Sequence, residues 1–229
     1  MKRFLCLILV LILGMSVASE AGAVYFSEIA ITIEDTEITS EELESAMNQH
    51  LIISALYAAS AGHDTNITDG LTIIDVLTKV TFDLEQRQVI RNQAALYGID
   101  QLTIEETVRA RVQASKKYQA YLDMLFSENA FYFLPAGNYE YVDDDTQGNA
   151  KRYLESFGLT EDALYLEEID WILDEKLKNV ILSQVQDTDI SEDYYIDWFM
   201  DAYYDTYIYE DAVAIAEVCL KLAGKYEGI

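Results

Sequence analysis

Cysteine, proline, histidine and positive charge are all scarce in this chain, and each shortage excludes something. Only Cys6 and Cys219 are present. Cys6 has too little apolar sequence before it to be the lipidated cysteine of a lipoprotein. If residues 1–23 are removed as a leader, Cys219 stands alone and no intramolecular disulfide can form, so stability has to come from packing. One proline and ten glycines are few chain-breakers for this length, which argues against a many-turned β-sandwich or barrel and for long helices. Fifteen Lys and Arg stand against 41 Asp and Glu, a formal charge of −26. Such a field repels phosphate backbones and anionic membrane surfaces. Nucleic acid is thereby excluded as a partner, while basic or unfolded polypeptides and cations remain.

Catalytic grammar is missing as well. The two histidines, His50 and His63, sit in a helical stretch and a polar loop. No G-x-S-x-G, phosphate loop, G-x-G-x-x-G or H-E-x-x-H accompanies them, and no nucleophile, base and orienting acid can be assembled. The expectation is a non-enzyme with no cofactor and no metal centre.

What is present begins with Met1-Lys2-Arg3, an apolar run from Phe4 to Val17, and Ala18-Ser19-Glu20-Ala21-Gly22-Ala23. A basic start, a short apolar run and a small-residue site form the signature of a secretory signal peptide cut after Ala23, or alternatively after Ala18. The run of roughly 15 apolar residues falls short of the ~20 that a spanning helix needs. Residues 1–23 therefore read as a signal peptide and 24–229 as one exported domain, with no stable membrane insertion after cleavage. Loss of Lys2, Arg3 and Glu20 deepens the charge to −27. With half of the residues apolar, a real core can be filled.

Ile29, Ile31 and Ile33 alternate with small or polar residues and are followed by Glu34-Asp35-Thr36-Glu37-Ile38, a short β-hairpin with one apolar face. Thr39 with Glu42 makes a capping box, and Ile38 with Leu43 a hydrophobic staple. The same grammar recurs at Thr103 with Glu106, at Leu159-Thr160 with Leu164, and at Ser191 with Glu192 and Asp193. A long helix over residues 71–97 stops at Gly98, and a shorter one over 145–157 stops at Gly158. A break near Tyr207 precedes a last helix over 210–225. Loops lie at 61–70 and 135–141, the second holding Pro135. The fold class is mostly α, a multi-helix domain with a short N-terminal β-hairpin.

The order of these elements resembles the N-terminal chaperone domain of SurA/PrsA-type foldases, related in plan to the chaperone part of trigger factor. The matching residues are Ile31-Thr32-Ile33-Glu34-Asp35-Thr36-Glu37-Ile38-Thr39, with Glu34-Asp35 where that family has Asn-Gly. Further matches are Tyr97-Gly98-Ile99 before Leu102-Thr103-Ile104-Glu105-Glu106, Phe157-Gly158-Leu159-Thr160-Glu161-Asp162, and Asp189-Ile190-Ser191-Glu192-Asp193-Tyr194-Tyr195. They span about residues 29–200. The parvulin-type isomerase that often follows in this family is not expected, because some 30 residues remain and both histidines lie upstream. The resemblance implies an extracytoplasmic, ATP-independent holdase that binds unfolded or partly folded polypeptides.

Two aromatic-rich stretches are the candidate contact surface: Tyr118, Tyr121, Phe126, Phe131 and Phe133, and then Tyr203, Tyr204 and Tyr207. Tyrosines present apolar area while keeping a hydroxyl wet. Tyr195, Trp198 and Phe199, at helical spacing, read as core. Asp143-x-Asp145-x-Gln147-Gly148 opens like a calcium loop, but Leu154 stands where the bidentate Glu belongs, so an acidic helix cap is preferred. Asp197, Asp201 and Asp205 share one helix face and read as a solvated stripe. A secreted helical accessory protein with one dedicated protein partner is the alternative to a holdase.

Overall fold

The computed structural model describes residues 28–61, 70–126, 140–184 and 192–226. The leader, His63, Phe131, Phe133, Pro135 and Ser191 lie outside the described residues. Within them the chain is mostly helical with one small antiparallel sheet, as expected.

Strands β1 (Ile29–Ile33) and β2 (Thr36–Thr39) form the hairpin, with Ile33 paired to Thr36 across a two-residue turn. Glu34 takes φ 51° in that turn, a region that Gly or Asn enters more readily. A distant segment holds it there. The Glu34 N–H donates to the Tyr207 carbonyl at 2.9 Å, and the Glu34 carboxylate accepts the Tyr207 N–H at 2.8 Å. The stretch after Tyr207, read from sequence only as a break, is a third strand, β3 (Ile208–Glu210), antiparallel to β1. Sheet order β2-β1-β3 makes β1 central. Three residues are too few for a period-two pattern to declare itself.

The helices are α1 (Ser40–Ser60), α2 (Gly70–Leu96), α3 (Ile104–Leu125), α4 (Thr146–Glu155), α5 (Glu161–Gln184), α6 (Glu192–Asp205) and α7 (Ala212–Tyr226). Their starts follow the caps. The Thr39 hydroxyl accepts the Glu42 N–H at 3.1 Å while the Glu42 carboxylate accepts the Thr39 N–H at 2.8 Å. Thr103 and Glu106 repeat the arrangement at 3.2 and 2.7 Å, and Thr160 accepts the Ala163 N–H. Asp145 is a helix cap: it accepts from Arg152 at 2.9 Å and from the Gly148 N–H at 3.0 Å. Both contacts hold its carboxyl below the usual carboxylate range, Arg152 most strongly. A Cβ at Gly148 would stand 1.9 Å from an Asp145 oxygen, so any larger residue there would displace the capping carboxylate.

Helix α2 and the turn after α4 end alike. Gly98 (φ 67°) and Gly158 (φ 75°) donate to Ala95 and Glu155, and the next N–H groups reach back to Ala94 and Leu154, the double bond that closes a left-handed C-cap.

The main core joins β1 to α1, α2, α3, α4 and α7 around Ile31, Ile33, Leu43, Met47, Leu122 and Phe157. Each fully buried aliphatic there contributes about 1.5–3 kcal/mol. Ile38 and Leu43 are both in it, as are Leu159 and Leu164. Helix α5 carries seven carboxylates and lies against the cations of α2 and α3. Arg91 grips Asp170 through two bonds of 2.6 and 2.9 Å, Arg87 pairs with Glu167, Arg109 with Glu175, and Lys117 with Glu168. Burial pushes the Asp170 carboxyl up despite the opposing pull of Arg91.

Candidate functional site

Helix α6 shows two chemically different faces. Tyr195, Phe199 and Tyr203, spaced by four, are buried, with Trp198 partly buried between them. Tyr195 stacks on Trp198 at 5.8 Å and its hydroxyl donates to Asp174 at 2.5 Å. Burial drives the Tyr195 phenol far above its ordinary pKa, and the bond to Asp174 adds to this. The Tyr203 ring meets Phe82 edge-on at 5.6 Å, and its hydroxyl donates to the buried Glu85 of α2.

The opposite face is wet and acidic. Asp193, Asp197, Asp201 and Asp205 are exposed and make no ion pair among the described residues. Between them project Tyr194 and Tyr204, the latter 72% exposed. Past the end of α6, Tyr207 (61% exposed) and Tyr209 continue the surface along the outer side of β3, while Ile208 packs inward. The bonds between Glu34 and Tyr207 anchor this stretch to the hairpin. Chemically the face offers phenol rings for apolar or cationic groups and carboxylates that attract positive charge.

The residues singled out from sequence divide accordingly. Tyr204 and Tyr207 share this surface, and Tyr194 and Tyr209 join them. Tyr203 belongs to the core instead, because it continues the inward phase of Tyr195 and Phe199; that four-residue step is the signal that separates it from Tyr204. Tyr118 and Tyr121 are buried in the main core. Burial pushes the Tyr118 phenol up to about 12, and Tyr121 is raised further. Phe126, partly exposed, caps the end of α3. Phe131 and Phe133 lie outside the described residues. Asp197, Asp201 and Asp205 are a solvated stripe.

His50 is half-buried in α1, where burial first and Lys79 second hold its pKa below the ordinary value. Cys219 is buried, its thiol pushed up to about 11 by desolvation, and so is a poor nucleophile. Among the described residues no group of three or more His, Cys, Asp or Glu is placed to hold a metal ion, and no helix is long and apolar enough to cross a membrane. A groove of about 490 Å³ between α3 and α5 is lined by Arg109, Gln113, Lys117, Glu168, Trp171 and Ile172, with Arg109 over the exposed Trp171 ring at 5.6 Å. Sequence reasoning passed over Trp171 because one tryptophan amid the α5 carboxylates carries no periodic signal of exposure. No family model matches the chain, and no curated protein and no solved structure matches it.

Proposed function

We propose that this chain is an extracytoplasmic, ATP-independent chaperone-like module that holds unfolded or partly folded polypeptide segments on the acidic tyrosine face of α6 and β3. The resemblance of its helical plan to SurA/PrsA-type foldases supports the reading. The observation that carries it is the exposure of Tyr204 and Tyr207 among aspartates that have no cationic partner among the described residues. The Tyr204 ring touches the buried Tyr203 edge-on at 5.9 Å but leaves most of its surface in water, where it can cover apolar client side chains. The carboxylates draw in basic segments and keep the complex soluble, an attraction that salt weakens. No nucleotide and no metal takes part in this mechanism.

The test is suppression of aggregation of a denatured client by the purified protein. Tyr204→Ser combined with Tyr207→Ser is expected to reduce suppression several-fold while lowering unfolding free energy by no more than ~1.5 kcal/mol, the worth of the edge-on contact between Tyr204 and Tyr203. Unchanged suppression by that variant removes the face from client binding. If the unsubstituted protein holds none of several unrelated clients, the dedicated-partner reading replaces the chaperone one.

A further inference from the structure

The first three turns of α3 are built inside out. Ala110 and Ala114, its small residues, face inward and are fully buried. Its large aliphatics face outward: Ile104 is 86% exposed, Val108 57% and Val112 47%. Spaced by four, these three form one continuous ridge on the helix surface. β-Branched residues are mediocre helix formers, so helix propensity does not account for an aliphatic ridge in water, and no contact among the described residues buries it. A helix apolar on both sides packs on both sides.

Two unpaired charges flank the ridge on one side. Glu105 and Lys116 are exposed and make no ion pair among the described residues. They stand three helical turns apart, about 16 Å along the axis at 1.5 Å per residue, with the ridge beside and between them. An antiparallel copy of the same helix, with its two-fold axis near Ala110, sets Val108 against the copy's Val112 and Ile104 against the copy's Lys116 stem. It also brings each Glu105 beside the opposite Lys116. The surface is thus complementary to itself in both shape and charge, as a two-fold interface requires. We infer that α3 is a homodimerisation seam, occupied by α3 of a second copy in antiparallel orientation.

Three aliphatic residues a side make a small seam, well below the ~800 Å² per partner of a standard interface, so the dimer is weak and concentration-dependent. The charge of −26 on each copy opposes association at long range, and screening relieves that repulsion. Sedimentation equilibrium of the purified protein over a concentration series tests this. A monomer–dimer equilibrium is expected that tightens when sodium chloride rises from about 0.05 to about 0.5 M. Val108→Glu should weaken it at least ~10-fold, with circular dichroism and melting unchanged. Glu105→Lys alone and Lys116→Glu alone should each weaken it ~3- to 10-fold through two symmetric repulsions, and the double exchange should restore it to within about twofold. A monomer at every concentration and salt overturns the inference. So does a dimer indifferent to Val108→Glu, or one that the double exchange leaves as weak as the single changes.

Discussion

In α5, five carboxylates meet cations from α2 and α3, whereas in α6 the four aspartates after Glu192 meet none among the described residues. Both helices are strongly acidic. The chain has only fifteen Lys and Arg, and their placement shows where neutralisation matters. Helix α5 lies inside the bundle, where Asp170 and Glu168 are buried and an unpaired carboxylate is costly. Helix α6 lies outside, where water screens its aspartates, and like charges four apart cost only ~0.2–0.5 kcal/mol per pair. Charge that has to be compensated is compensated; charge left bare sits beside exposed tyrosine. Helix α5 thus adds ion pairs to a buried aliphatic face of Leu164, Ile172, Leu173, Leu177 and Ile181, whereas α6 is held by its aromatic face.

The sharpest way to break this contrast is to remove an α5 partner. Arg91→Ala leaves the Asp170 carboxylate buried and without its bidentate donor, and should cost about 3 kcal/mol in urea unfolding. Asp170→Asn introduced into that variant should recover most of the loss. A cost of Arg91→Ala below ~1 kcal/mol would place this pair with ordinary surface ion pairs. A smaller effect is expected where α6 meets α2: Tyr203→Phe removes the donor to Glu85 and should cost about 1–2 kcal/mol, while Tyr204→Phe on the wet face leaves stability unchanged. Equal costs for the two would erase the distinction between the faces. The smallest effect is that of Asp197→Asn, Asp201→Asn and Asp205→Asn together. Low-salt stability should rise by a few tenths of a kcal/mol, and the gain should vanish at high salt. Destabilisation instead would mean that these aspartates have partners after all.

Much of the fold was legible because its signals are local. Thr39 with Glu42, Thr103 with Glu106 and Thr160 with Ala163 mark helix starts through bonds spanning three residues, and Gly98 and Gly158 mark stops through their own φ. Strand β3 was not legible, since Ile208–Glu210 becomes a strand only by meeting β1. The candidate site was half legible. Aromatic density pointed to 194–209, but composition cannot tell the inward Tyr203 from the outward Tyr204, and only the phase fixed by Tyr195 and Phe199 does. In the stretch from Tyr118, the same density marks core, because α3 turns Tyr118 and Tyr121 toward the bundle. The Ile104-Val108-Val112 ridge was hidden for the opposite reason, since aliphatics at helical spacing ordinarily read as the buried face.

The central position of β1 sets an order of events for a chain made from its N-terminus. The hairpin can close as soon as Thr39 is available, but the other side of β1 waits for β3, and Glu34 and Tyr207 stand 173 residues apart. Until that last strand arrives, Ile31 and Ile33 offer an open edge to any passing strand. Loop closure over such a separation is slow. The molecule is therefore most adhesive toward its own kind during synthesis, and the final lock on its sheet is turned from the far end of the chain.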